Sequence, residues 1–324
     1  MQRLSAMAGN GGSMMFRRKP IRWPNNARIA ITTCVVTESW PDNLGTGKSL
    51  QSEFRKGLPS NAKFKRDICS ITDRQYGERV GVYRVMEILR QEGIKASFFV
   101  NGHTVETFPD MMKLIVAEGH ELCSENWRHE YAYMMTQKEQ RDDIKRTVNA
   151  FQKVLGFKPQ GFIMPGERPT DDTPKILIDL GYKYWMCFLH EDLPYVLKVG
   201  RGELVLTSYG VWMTDHRTGR ADAGRTPREL LQIWKDHFDW IYEEGGDYPG
   251  FMSLGLHPFL IGRPFRAIIL REFYRYAKGH AGVWFPRGID LANYWLENCH
   301  DNLVEKWPNY GTGLAYEKTQ IMVR

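Results

Sequence analysis

The chain has 324 residues, 42% of them hydrophobic and 13% aromatic, enough to bury a sizeable core in one large domain or two ordinary ones. Its formal net charge of +6 is spread along the chain with no run of five like charges, which argues against a nucleic-acid-binding protein. Five cysteines (Cys34, Cys69, Cys123, Cys187, Cys299) lie far apart with no CxxC pair, which excludes a disulfide framework and fits a reducing cytoplasm.

Residues 1–20 contain no apolar stretch of signal-peptide length and read as a flexible N-terminal arm. The run ARIAITTCVV that follows is rich in β-branched residues and almost continuously apolar, as in a strand covered on both faces. Residues 40–79 are polar, rich in Pro, Gly, Asn and Ser, and read as a long functional loop. The spacing of Val82, Val85, Met86 and Leu89 predicts a helix that stops at Gly93. Next come a strand in ASFFVNG, a helix from Pro109 to about Gly119, and a short strand in HELCSE. Thr136 and Glu139 form a capping box for a long amphipathic helix ending near Gly156. Beyond it the chain reads as strand PQGFIMPG, helix TPKILIDLGY, strands KYWMCFL and LVLTSYGVWM, helix TPRELLQIWKDHFDWIYEEGG, strand GFMSLGLHP and helix FRAIILREFYRYAKGH. No stretch is long and apolar enough to span a membrane. Repeated strand–helix alternation predicts parallel strands with crossover helices, an α/β fold closed as a barrel or opened as a doubly wound sheet, in one domain over 21–324. In either architecture chemistry gathers at the C-terminal ends of the strands.

That rule singles out four segments: TES, SENWRHE, MPGERP and LHPFLIGRP. Glu38, at the mouth of the first strand, suits a catalytic base, a metal ligand or a solvated loop residue. Glu125 and His129 are four apart and could hold a metal, exchange protons with substrate, or form a surface ion pair. With Glu38 they make two carboxylates and an imidazole, a donor set for one zinc or another divalent ion. His257 closes a buried strand and is fixed by Pro258, as suits an acid that protonates a leaving amine; a core-edge histidine bonded to backbone is the plainer reading. Trp127, Arg168, Asp192 and Arg263 are candidate substrate contacts, and each also reads as an ordinary packing or ion-pair residue. Trp212 reads as a pocket-lining or a core residue, and Asp215 and His216 as part of a loop over the site whose roles nothing local discriminates.

Six segments, RWPNNARIAI, YGERVGVYRVMEILRQEGIKASFFVNG, EGHELCSENWRHE, EDLPYVL, SLGLHPFLIGRPFR and VWFPRGIDLANYWLE, together resemble the polysaccharide deacetylase (NodB-homology) family. The likeness is to its cytoplasmic branch of allantoinase-like and peptidoglycan-deacetylase-like proteins, some of them metal-independent. It implies a distorted (β/α) barrel of about seven strands, a homotetramer, and hydrolysis of a non-peptide carbon–nitrogen bond in a small molecule. A peptidoglycan or polysaccharide N-deacetylase and a non-catalytic binding member are the alternatives. By the resemblance His257 matches the family's acid and His129 the second histidine of its SHxxxH metal motif. The sequence departs from the family at Glu125 (first metal histidine), at Thr37–Glu38 (paired aspartates) and at Ile163 (arginine).

Overall fold

The run Ile29–Thr37 is apolar or β-branched on both alternating faces, so it can only be satisfied with cover on both sides. It forms β1 (Ile29–Thr37), buried at every position and paired with a parallel strand on each side. The structure, a computed structural model, describes residues 21–38, 40, 63, 68–187, 191–210, 212–216, 226–302 and 304–306; the arm expected at 1–20 lies outside them.

Seven strands run parallel in the order β8 (Gly250–Leu256), β1, β2 (Ser97–Val100), β3 (Glu121–Ser124), β4 (Gly161–Ile163), β5 (Tyr184–Met186) and β7 (Gly202–Thr207). β6 (Tyr195–Val199) lies antiparallel to β7, β10 (Val304–Lys306) pairs with β6, and β9 (Val283–Trp284) pairs with the start of β1. The ends of the parallel run, β7 and β8, are not paired with each other. Instead the segment after β7 leans on β8, so that a Cβ on Gly255 would lie 2.7 Å from the Tyr209 ring. This is the seven-strand distorted (β/α) barrel that the sequence predicts.

The two faces of β1 divide the core. Ile29, Ile31 and Val35 pack outward with the helices, whereas Ala30, Cys34 and Val36 face the barrel interior with Phe99, Cys123, Ile163 and Met186. The helices are α1 (Ile68–Tyr76), running into a π turn at Gly77–Gly81, α2 (Val82–Glu92), α3 (Gly102–Thr107), α4 (Pro109–Ala117), α5 (Gln137–Leu155), α6 (Thr173–Leu180), α7 (Pro227–Glu244), α8 (Pro258–Ile261), α9 (Pro264–Lys278) and α10 (Gly288–Asn298). The Thr136/Glu139 capping box opens α5 as read from sequence, and Thr226/Glu229 does the same for α7.

Three expectations need correction. Residues 68–79 of the supposed loop are helical, in a stretch that runs on to Gly81; α1 has a polar outer face and few apolar positions, so its period is faint. EDLPYVL supplies the antiparallel strand β6, and LVLTSYGVWM ends as strand at Thr207. The chain does not end its regular structure with α9, because β9, α10 and β10 follow. No helix among the described residues is long and apolar enough to cross a membrane.

Candidate active site

Side chains of the site leave from the C-terminal ends of the parallel strands. Glu38 follows β1, Asn101 follows β2, Glu125 follows β3, Met164 follows β4, Tyr209 lies just past β7 and His257 follows β8. The Glu125 N–H donates to Val100 O at 3.0 Å, carrying the β2–β3 ladder one residue further. Its carboxylate accepts from Asn101 Nδ2 at 2.8 Å. The chain then bends rather than coiling into a helix, and this brings His129 back over the strand ends.

Glu38 is the hub. Its Oε1 is 3.3 Å from His257 Nε2, and its Oε2 is 3.6 Å from His129 Nε2 and 3.8 Å from an Arg74 nitrogen. Trp40 Nε1 donates to the same Oε2, and the Trp40 ring stacks on His129 at 3.7 Å. The Arg74 guanidinium lies 3.4 Å from the centre of the Trp40 ring, so a cation of α1 reaches the carboxylate through an aromatic sandwich.

His257 is oriented from behind by Asp215, a fully buried carboxylate. Asp215 Oδ1 accepts from Nδ1 at 2.7 Å, while Oδ2 accepts the backbone N–H groups of His257 at 2.9 Å and Ile261 at 3.2 Å. With Nδ1–H committed to Asp215, Nε2 is the atom that faces Glu38 and the Tyr209 hydroxyl, the latter at 3.4 Å.

These neighbours set the charges. Burial works against a charged His257, but the charge of Asp215, its hydrogen bond and Glu38 outweigh it and push the imidazole up to about 10. Burial likewise opposes a charged Glu38, yet His129, His257 and Arg74 hold it well below the usual carboxylate range. Glu125 goes the other way: burial first, then the charge of Glu38, push it well above that range. The surroundings thus drive the two carboxylates apart, Glu38 towards its ionised form and Glu125 towards its protonated form, beside a His257 held towards imidazolium.

The cavity above these groups measures about 180 Å3 and is walled by Val36, Tyr131, Met164, Glu167, Thr214 and His216 in addition to Glu38, Glu125, His129, Tyr209 and His257. Of the residues singled out as substrate contacts, Arg168 reaches this pocket. The other three do not. Trp127 is buried against Gly102, with Arg146 at 3.6 Å over its ring and its N–H donated to Asp143, so it anchors α3 to α5. Arg263 binds Asp73 at 2.7 Å and stacks on Tyr76 at 3.7 Å, tying α9 to α1. Asp192 is exposed and its N–H is satisfied by Glu191. Trp212 is 65% exposed and also lies outside the pocket lining.

Sequence reasoning passed over Trp40 and Arg74, because both fall in the stretch read as loop, and it assigned no role to Asp215 or Tyr209. An aspartate beside a histidine in a polar segment carries no periodic signal; only the fold brings Asp215 to His257, 42 positions away.

Glu38, Glu125 and His129 each offer one ligand atom, all within 4.8 Å of one another. Two carboxylates and an imidazole are a fitting donor set for a divalent ion, and the repulsion from Glu38 that, after burial, raises the Glu125 carboxyl is what such a cation would relieve.

Comparison with known proteins places this geometry in context. Residues 67–185 match the family model described as polysaccharide deacetylase. A peptidoglycan deacetylase of Helicobacter pylori is 26% identical over 253 residues, spanning 68% of this chain and 86% of that protein. The crystal structure of a probable polysaccharide deacetylase from Pseudomonas aeruginosa superposes with a TM-score of 0.75 at 26% identity, covering 85% of this chain and 93% of that one. Puue allantoinase gives the same TM-score and identity, with coverage of 87% and 95%.

Proposed function

We propose that the chain belongs to the polysaccharide deacetylase family, whose reaction is the hydrolysis of non-peptide carbon–nitrogen bonds, and that it cleaves an amide or cyclic amide of a small molecule in the pocket around Glu38. The observation that carries this reading is the Asp215–His257–Glu38 array, an imidazolium aimed at a carboxylate over a small polar cavity.

Glu38 accepts a proton from the attacking water as its oxygen bonds to the carbonyl carbon. His257 then delivers its Nε2 proton to the departing nitrogen, and the carbon–nitrogen bond breaks. The two roles are coupled, because loss of the imidazolium charge removes part of what depresses Glu38, His129 and Arg74 supplying the rest. Return of the proton from Glu38 Oε1 to His257 Nε2 across 3.3 Å restores the starting state. Asp215 fixes the tautomer and stabilises the imidazolium without itself changing protonation. Glu125 either binds a polar group of the substrate or completes a divalent site with Glu38 and His129.

Glu38 Oε2, Glu125 and His129 would hold a divalent ion, zinc by the donor set, leaving Oε1 for the exchange with His257. When bound, such an ion polarises the carbonyl and lowers the pKa of its water. The free cysteines fit a cytoplasmic setting, and the tetramer expected from the family belongs to the same reading.

A second reading, removal of the N-acetyl group from peptidoglycan sugars, is favoured by the similarity to the Helicobacter pylori protein. One panel tests both: cyclic ureides, cyclic imides, acetamido-sugars and peptidoglycan fragments, each assayed with and without added zinc, manganese or iron. Turnover of a monomeric amide supports the first reading, and turnover confined to peptidoglycan fragments the second. No turnover anywhere, with one compound raising the melting temperature, would make the chain a binding protein.

A further inference from the structure

One wall of the pocket is a column of rings. Trp40 stacks on His129 at 3.7 Å, Tyr131 meets His129 edge-on at 5.6 Å, and Tyr133 lies nearly parallel to Tyr131 at 5.4 Å. The column starts at Glu38, whose Oε2 accepts from Trp40, and it ends in water, because Tyr131 is buried whereas Tyr133 is 43% exposed. A 3-10 turn at Ala132–Met134 carries the chain from the first tyrosine, in the core, to the second, at the surface.

Arg168 reaches the outer end of this column from the turn between β4 and α6. That turn holds positive φ at Gly166 and Glu167, 61° and 54°, and is seated on the rings, since a Cβ on Gly166 would lie 2.6 Å from Tyr131. The two charged side chains of the turn part company. Glu167 is half-buried, with its charge felt at Cys187 and Tyr209. Arg168 is exposed, lines the pocket and sets its guanidinium 5.8 Å from the centre of the Tyr133 ring. Among the described residues Arg168 makes no hydrogen bond or ion pair, whereas Glu38, deep in the same pocket, already has Arg74 and His257 beside it. A guanidinium resting against an aromatic ring keeps its fork of N–H groups for a planar anion.

We infer that Arg168 and Tyr133 form a carboxylate-binding subsite at the mouth of the pocket, and that the preferred substrate is an amide bearing a carboxylate on the ring or side chain beyond its scissile bond. The inference rests on the hydrolase reading above and adds the substrate's chemistry to it. Arg168 donates two N–H bonds to the carboxylate, Tyr133 backs the guanidinium and offers its face to the substrate ring, and the ring column fixes this rim relative to Glu38. Water at the mouth limits the gain to roughly 5-fold in binding, and salt reduces it further.

An acid and its methyl ester share ring and scissile amide but differ in charge, so a matched pair reads the subsite directly. The pairs are hydantoin-5-acetic acid and its ester among ureides, N-acetylmuramic acid and its ester among acetamido-sugars, or the same contrast in whichever class of the panel is cleaved. Wild type should favour the acid by about 5-fold in kcat/KM at low ionic strength, and by less as salt is added. Arg168→Gln should lose that preference through the KM of the acid, with its kcat changed by less than about 3-fold, the pattern of a lost uniform binding interaction. Arg168→Lys should recover part of it, keeping the charge without the fork. Equal use of acid and ester by wild type, or a preference that survives in Arg168→Gln, would overturn the proposal and leave the hydrolase reading standing. So would an equal loss for acid and ester, which would make the rim a stacking face blind to charge. Should wild type cleave nothing, the hydrolase reading fails instead, and the subsite is judged by thermal stabilisation with the same pairs. Stronger stabilisation by the acid, lost in Arg168→Gln, supports it; equal stabilisation by acid and ester, or none, overturns it.

Discussion

Asp215 shows how much one buried side chain decides. Three hydrogen bonds converge on it, two from backbone and one from the His257 ring, so it fixes both the path of the chain at α8 and the charge of the imidazole. In Asp215→Asn the backbone bonds can survive, but the amide offers His257 Nδ1 no charge. We expect kcat to fall by about 10²–10⁴-fold, the usual worth of a positioned acid. The stability effect has a defined sign. His257 is raised from 6.5 to about 10, so the stabilisation it draws from Asp215 is fully present below pH 6.5 and fades as pH rises towards 10. Urea unfolding should therefore show Asp215→Asn destabilised by about 1–3 kcal/mol at pH 6 and much less at pH 10; an equal deficit at both would mean that Asp215 acts through the backbone alone. Little of this residue-scale picture was legible beforehand. Glu38 and His257 stand out in sequence because each closes an apolar run, Glu125 and His129 because they are four apart after a short strand, and the fold brings all four into one pocket. Asp215, Trp40 and Arg74 sit in polar segments whose residue types fit a solvated loop equally well. Trp127 and Arg263 were singled out for their neighbours in sequence, yet their partners in space, Arg146 and Asp73, turn them into packing struts.

Among the elements, the π turn at Gly77–Gly81 bears most directly on the site. It packs against the segment that follows β8, and a Cβ on Gly81 would lie 2.0 Å from the carbonyl oxygen of Pro258. On the other side Gly262 approaches equally closely, with its Cβ position 2.4 Å from Gly81 Cα. Arg84 and Tyr76 close the contact by donating to Gly262 O. Two glycines and a proline thus let α1–α2 press onto the backbone that carries His257, and in sequence they read only as punctuation. Gly81→Ala must push these elements apart. It should cost about 1–3 kcal/mol, as overpacking does, and lower kcat because His257 shifts with its backbone. A urea midpoint and kcat both equal to wild type would show that the contact gives way freely. The strands were easier to read than this joint. β1, β2, β8 and the helices α2, α5, α7 and α9 follow clear periods, whereas α1, β6 and α10 have polar faces or short spans and are defined by what they pack against.

For the whole molecule, the parallel run explains why six segments far apart in sequence form one site. Each crossover returns the chain to the same edge, so every strand delivers its next residue to a common mouth. The gap between β7 and β8 matters here, because it is filled by Tyr209 and the segment leading to Asp215 rather than by backbone pairing. The carboxylate that orients His257, which no sequence motif announces, therefore comes from the place where the barrel departs from a closed one. Alternation of strand and helix predicts a barrel or a doubly wound sheet, and the family resemblance selects the barrel; this opening has no periodic trace, because it depends on which strands fail to meet. The most direct test of the whole account is amine or ammonia release by wild type and His257→Ala on the best substrate, at equal folded concentration. The array of Asp215, His257 and Glu38 predicts at least a roughly 10²-fold loss of kcat with the melting temperature little changed. Wild-type kcat in the variant would contradict it and remove His257 from the chemistry.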